Sequence, residues 1–372
     1  MNIAAQLKDF DQLNTTITVL GSHSALDVCR GAKDEGFKTL VVTQKGRGTP
    51  YEKYYKTSGN LGCVDEVISL DKFSDILTSR TIDKLISHNA IFVPHRSFEV
   101  YLNDYDAIEK KFPVAMFGNR FMLKIEERGT KFSQYDLLEE AGIRYPKIFK
   151  KPEDIDRLCL VKVLEKERGF ERAFFITDSF NDFQKQVDLK LKKKLFTKDQ
   201  LKLAVIEEFV LGVQVNFNFF YSPLNGRLEL MGTDTRRQTN LEGLSRIPGI
   251  YQQELITKIN IKYEEAGHIA VTVLESMLEK VFEIGEKFVK ASKKIMPPGV
   301  IGPFALQSII IPGPPKKDIV VVDVSPRVPG SPGISATPYA TYLFGEPIPV
   351  GRRIAIEIKQ AIKENCLEKI VT

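Results

Sequence analysis

The chain has 372 residues, 43% of them hydrophobic, with 53 Lys and Arg against 48 Asp and Glu for a net charge of +5. That length supports two or three packed domains, the composition excludes a disordered chain, and the mild, dispersed charge argues against nucleic acid and for small anionic substrates. Cys29, Cys63, Cys159 and Cys366 form no Cys-x-x-Cys pair, and neither a basic leader nor an apolar run of the roughly 20 residues a membrane span needs is found, so a soluble cytoplasmic chain with reduced thiols is expected.

Residues 17–20 are an apolar, partly β-branched run that stops at Gly21-Ser22-His23-Ser24, after which Ala25, Leu26, Val28 and Cys29 fall at helical spacing. This predicts strand, loop and helix. Further strands are predicted over 39–43 and over 90–93, the latter ending at Pro94-His95-Arg96-Ser97. Strands alternating with helices indicate a parallel sheet, and ligands of such sheets sit at the strands' carboxyl ends, where His23, Ser24, His95 and Ser97 fall. His23 and His95 equally suit loop ends whose backbone groups need partners.

The turn 142–146 opens a new segment, and the division falls near residue 120, giving units over 1–120, 121–210 and 211–372. Strands are expected over 158–163, 174–177 and 205–210, a long helix over 274–292, and strands over 304–311 and 319–324 around a proline-rich turn. Between Glu229 and Pro248, the residues Asp234, Arg236, Arg237, Asn240 and Arg246 crowd behind a short apolar stretch. The three arginines are planar forks suited to phosphate or carboxylate, and Asn240 can donate and accept towards a ribose or base. A nucleotide-like anion is one reading of this density, and a salt-bridge cluster at a sheet edge is the other.

Lys162 within a β-run is followed 45 residues later by Glu207-Glu208, then by Gln307 and Asp323 on late strands. That order resembles ATP-grasp enzymes. With it stand Gly21-Ser22-His23-Ser24-Ala25-Leu26, Val93-Pro94-His95, Phe117-Gly118-Asn119-Arg120, the run from Ile206 to Gly212, the segment 234–248 and Gly302-Pro303-Phe304. Together they make the chain similar to the archaeal formate-dependent 5-aminoimidazole-4-carboxamide ribonucleotide ligases of that superfamily, over nearly its whole length.

The resemblance implies an α/β chain of ATP-grasp architecture: an N-terminal parallel-sheet domain, an α+β lid and a C-terminal metal-binding part. It implies that ATP phosphorylates formate and that the ribotide's 5-amino group attacks the formyl phosphate. His23, Ser24, Ser97 and Asn240 match ribotide positions, and Lys162, Glu207, Glu208, Phe209 and Val210 match the ATP cleft. Gln307 and Asp323 match positions for Mg2+, or Mn2+, with Asp323 replacing the more usual glutamate. Small-molecule substrates and a homo-oligomer are implied, with neither nucleic acid nor membrane as partner.

Three departures from the family pattern bear on function. The glycine-rich turn over the phosphates is reduced to Gly169, so that Lys166, Arg168 and Arg172 stand where amide donors are usual. The loop 328–334 is proline-rich, and Pro329 and Pro332 bring no amide donor. Arg96 replaces a common glycine, adding a cation beside the ribotide pocket. A ligase with a different amine acceptor and a non-catalytic nucleotide-binding paralogue therefore stay open beside the leading reading.

Overall fold

The computed structural model describes residues 7, 10–126, 132–163, 174–256, 258–259, 264–313 and 316–372. The first sheet holds β1 (Thr16–Leu20), β2 (Lys38–Gln44), β3 (Glu66–Leu70), β4 (Ala90–Val93) and β5 (Ala115–Met116), all parallel, in the order β3-β2-β1-β4-β5. β1 and β4 are buried along their whole length, which explains why they read as apolar runs rather than alternating patterns. The chain winds from β1 outward to β3 and returns to β4 on the other side of β1. The topological switch therefore lies between β1 and β4, and the loops that leave them carry His23 and His95.

The helix Val350–Lys363 seals this domain against the helix Ala25–Asp34. Two glycines let them touch: a Cβ on Gly31 would lie 2.0 Å from the Arg352 nitrogen, and one on Gly351 would lie 2.1 Å from the Asp27 carbonyl. The Gly351 amide also donates to the Asp27 carboxylate at 2.9 Å. The motif Phe117-Gly118-Asn119-Arg120 is structural. Buried Arg120 donates to the carbonyls of Ile108, Phe112, Val114 and Thr372, and Asn119 to those of Met296 and Gly299.

A four-stranded antiparallel sheet follows: β6 (Ile148–Phe149), β7 (Cys159–Lys162), β8 (Phe174–Thr177) and β9 (Val205–Glu208), in the order β6-β9-β7-β8. Its own core joins Phe149, Val161, Phe175, Phe183 and Ile206. The strand expected over 205–210 ends at Glu208, because the Glu208 amide bonds to Lys147 and the Phe209 amide to Leu158 outside the ladder.

The third sheet is antiparallel and contains β10 (Val213–Ser222), β11 (Arg227–Gln238), β12 (Glu265–Ala270), β13 (Gly302–Ile311) and β14 (Asp318–Ser325), ordered β12-β11-β10-β13-β14. The helix expected over 274–292 runs Leu278–Ile295 and packs Val281, Ile284 and Phe288 on Phe219 and Phe304. β11 holds a surprise. Its ladder continues through the charged residues to Gln238, so Asp234, Arg236 and Arg237 belong to a strand and their side chains alternate between its faces. No described helix is long and apolar enough to cross a membrane.

Candidate active site

The loops after β1 and β4 meet at the switch point with their two imidazoles stacked, ring centres 5.6 Å apart. His95 is fully buried, accepts the Ser97 amide at Nδ1 and donates from Nε2 to the Leu20 carbonyl at 2.8 Å. Burial lowers its pKa to about 4, so the neutral ring acts as a brace between two loop backbones. His23 differs. Its backbone lies in the left-handed region at φ 51°, which costs strain in a residue with a Cβ, and the residue keeps exposed surface. Partial enclosure of the ring, with His95 and Arg327 nearby, drives its pKa down to about 3. The Ser97 hydroxyl donates to that of Ser22 at 2.9 Å. Ser24, expected among the substrate contacts, is buried and gives its hydroxyl hydrogen to the Pro329 carbonyl at 2.7 Å.

The third sheet supplies the opposing wall. Register places Asp234, Asn216, Gln307 and Asp323 as successive neighbours across β11, β10, β13 and β14, and hence on one face. Buried Asp234 accepts from Asn216 at 2.8 Å and Asn218 at 2.6 Å, and His268 on β12 approaches it at 2.5 Å through Nδ1. The other nitrogen of His268 reaches Glu265 at 2.8 Å. Arg236 shares the Asp234 face, lies 3.4 Å from Glu265, and has an Nε without a hydrogen-bond partner among the described residues. Arg237 and Arg246 instead share the half-buried Glu242 on the helix Thr239–Ser245. The arginine cluster thus divides: two members form a surface ion network, and Arg236 alone of the three faces inward with donors to spare. Asn240 sits half-buried in the first turn of that helix.

Sequence reasoning missed His268, since its role depends on the register that pairs β12 with β11. Burial would lower the His268 pKa, but hydrogen bonds and charge from Asp234 and Glu265 outweigh it and raise the value from 6.5 to about 9. A folded-state pKa above the unfolded one stabilises the protein fully below pH 6.5, and that stabilisation is lost as pH rises through about 9. We expect unfolding free energy to fall by at most ~3 kcal/mol across this window in wild type, with the fall largely abolished in His268→Gln. Urea unfolding at both ends of the window tests this, and equal slopes in the two proteins would refute it.

Gln307 is buried and donates its amide to the Ser325 hydroxyl at 3.2 Å, which leaves its carbonyl oxygen as the group to offer a cation. The neighbouring Asn216 Oδ1 is buried without a hydrogen-bond partner among the described residues. With half-buried Asp323 opposite Gln307, the donor set is hard oxygen and suits Mg2+ or Mn2+. No group of three or more His, Cys, Asp or Glu among the described residues is placed to hold a metal, so a cation here would need phosphate oxygens as further ligands. Beside this row, Arg327 bonds Glu99 at 3.2 Å and Glu126 at 2.9 Å, while Arg96 bonds the same two carboxylates at 3.1 and 2.7 Å. Burial raises both glutamates, helped by repulsion from Glu126 at Glu99, which rises to about 8, and from Asp323 at Glu126. Arg96, expected to add a cation to the pocket, is turned to Glu99 and Glu126.

At the other end, Lys162 closes β7 and forms an ion pair with buried Glu207, whose second oxygen accepts from the Tyr135 hydroxyl at 3.1 Å. Strand alternation turns Glu208 to the opposite face, where it accepts the Lys147 amide and lies 3.7 Å from Arg157. Phe209 and Val210 follow, half-buried, in the connection to β10. The helix Gln134–Glu140 links the two ends, because Tyr135 bonds Glu207 while Gln134 accepts the Val324 amide beside Asp323. The cationic lid residues Lys166, Arg168 and Arg172 lie outside the described residues.

Two family profiles match the chain, "Protein of unknown function (DUF1246)" over residues 17–149 and "Domain of unknown function (DUF1297)" over residues 182–372. A 5-formaminoimidazole-4-carboxamide-1-(beta)-D-ribofuranosyl 5'-monophosphate synthetase of Methanocaldococcus jannaschii is 40% identical, the alignment covering 98% of each chain. The protein of the same name from Methanosphaera stadtmanae is 38% identical over 98% of this chain and 97% of its own. Among solved structures, the IMP biosynthesis protein PurP of Thermococcus kodakaraensis superposes with a TM-score of 0.70 at 29% identity, over 96% of this chain and 100% of that one. The ADP complex of purK, an N5-carboxyaminoimidazole ribonucleotide synthetase, gives 0.58 at 11% identity over 90% and 78%, a likeness of fold alone. Identity of this degree along almost the whole length, on an ATP-grasp architecture, shows that the chain belongs to the family of 5-formaminoimidazole-4-carboxamide ribotide synthetases.

Proposed function

We propose that the chain is an ATP- and formate-dependent ligase that formylates the 5-amino group of 5-aminoimidazole-4-carboxamide ribotide in purine biosynthesis. The observation that carries this is the join between the two walls: the segment leaving β14 pairs Val328 with His95, so the His23 pocket adjoins the Gln307–Asp323 row. ATP would lie along Lys162, Glu207, Glu208, Phe209 and Val210, with its phosphates towards Gln307 and Asp323 and with Lys166, Arg168 and Arg172 as candidate phosphate-binding cations. Mg2+, or Mn2+, held by those two residues would neutralise developing phosphate charge. His23, Ser97 and Asn240 face the ribotide, Ser24 acts behind them, and Arg236 offers a cationic fork to anionic groups.

A formate oxygen takes the γ-phosphoryl group and ADP leaves. The amine nitrogen then attacks the formyl carbon, phosphate departs, and the amine loses a proton. The chain's part is to hold the partners in line and exclude water, because formyl phosphate hydrolyses if exposed. The engagement of Arg96 by Glu99 and Glu126 weakens the case for another acceptor. The decisive assay measures phosphate release and the formamido ribotide with ATP, formate and ribotide, omitting each in turn. Release needing all three, matched by product, is expected; release without formate, or with another amine only, would overturn the reading. Buried free thiols at Cys29, Cys63, Cys159 and Cys366 support a cytoplasmic enzyme. Exposed Ile250, Tyr251 and Ile256 on the helix Gly249–Ile256 support assembly of like copies.

A further inference from the structure

A hydroxyl group has one hydrogen, and the hydrogen of Ser24 is committed. The Pro329 carbonyl, 2.7 Å away, can only accept, so the Ser24 Oγ must be the donor in that bond. His23 Nδ1 lies 3.2 Å from the same oxygen. With the serine hydrogen directed at Pro329, this contact is favourable only if Nδ1 carries the hydrogen and donates to Ser24. A neutral imidazole has a single N–H, and Nε2 is then left bare.

We propose that the Ser24–Pro329 relay holds His23 as the Nδ1–H tautomer, so that its bare Nε2 accepts a hydrogen bond from an N–H or O–H of the bound ribotide. This deepens the ligase reading and rests on it for the identity of the ligand. A low pKa for His23 agrees, since the ring stays neutral throughout the physiological range. Gly330 fits the same picture: a Cβ there would stand 2.5 Å from Nε2, so the loop passes the ring edge without covering it by a side chain. The proline-rich loop, which lacks an amide donor at residue 329, thus contributes a carbonyl acceptor whose effect reaches the pocket through Ser24. Ser24 is a positioning residue, and the group recognised at Nε2 is a donor such as a ribose hydroxyl or the 5-amino group, not a phosphate oxygen.

Nitrogen-15 NMR of the histidine-labelled full chain tests this without turnover. His23, assigned by its absence from His23→Asn, is expected to show a protonated Nδ1 and a bare Nε2 near neutral pH. Adding the ribotide should shift Nε2 as a hydrogen-bond acceptor while it stays unprotonated. Should the shift vanish with the analogue lacking the 5-amino group, the donor is that amine; should it persist, the donor is a hydroxyl or the carboxamide N–H. His23→Gln, whose side-chain oxygen can reach the Nε2 position, should raise the ribotide KM less than about threefold, and His23→Asn at least about tenfold, with the ATP KM unchanged in both. Ser24→Ala should mix the tautomers; if that variant does not fold, the two His23 variants decide.

An Nε2–H ring in the free protein, protonation of Nε2 on binding, an unshifted Nε2 at ribotide saturation, or equal losses in Gln and Asn variants would overturn the proposal. Failure of formate-dependent phosphate release with the ribotide-induced Nε2 shift intact would instead count against the ligase reading alone.

Discussion

Asp323→Asn is expected to reduce metal-dependent turnover by at least about a hundredfold, since loss of even an outer-shell partner costs a metal site about 10–100-fold. The cause is charge. Asp323 faces Gln307 across β13 and β14, and Gln307 brings only a neutral oxygen because its amide is bonded to Ser325. Removing the carboxylate leaves Gln307 and residue 323 with neutral oxygens only, where a hard divalent cation prefers an anionic one. The fold should survive, because the amide is isosteric and the site is half-buried. Turnover against Mg2+ and Mn2+ concentration, beside a thermal unfolding curve, checks both halves. Wild-type activity at low metal would sink the metal assignment.

Lys162→Met should weaken ATP binding by about 10–100-fold, the worth of a charge-assisted contact of roughly 1.5–3 kcal/mol. It should also destabilise the protein by about 3 kcal/mol, because the Glu207 carboxylate, its side chain 4% exposed, keeps Tyr135 but loses its cation. The double variant Lys162→Met with Glu207→Gln separates the two effects. Stability should largely return, since the buried amide carries no charge, while nucleotide affinity stays low. Calorimetric titration with ATP and urea unfolding of the three proteins provide the measurements. An unaltered nucleotide Kd in Lys162→Met would remove Lys162 from the cleft.

Local pattern alone was enough for several features. The runs 17–20, 39–43 and 90–93 are legible because a strand buried on both faces must be continuously apolar, and the residues that follow lie where a parallel sheet binds ligands. Lys162 and Asp323 stand out for a related reason, as charged residues within otherwise apolar runs. β10 and β11 escape such reading: β11 interleaves Glu229, Asp234 and Arg236 with apolar residues, because Glu229 meets Arg353 of the helix Val350–Lys363 and Asp234 meets Asn216 of β10.

Tertiary structure decided what those charges do. Arg236, Arg237 and Arg246 look alike in the chain, yet alternation on β11 and the position of Glu242 send two outward and one inward. His268 meets Asp234, 34 residues away, through strand register, and Ser24 meets Pro329, 305 residues away, through the packing of two domains. Residue types and their order therefore specified the family and the chemistry at hand. The protonation and orientation of each group were settled by long-range contacts, because a hydrogen bond depends on distance and direction in space and neither is encoded in local spacing.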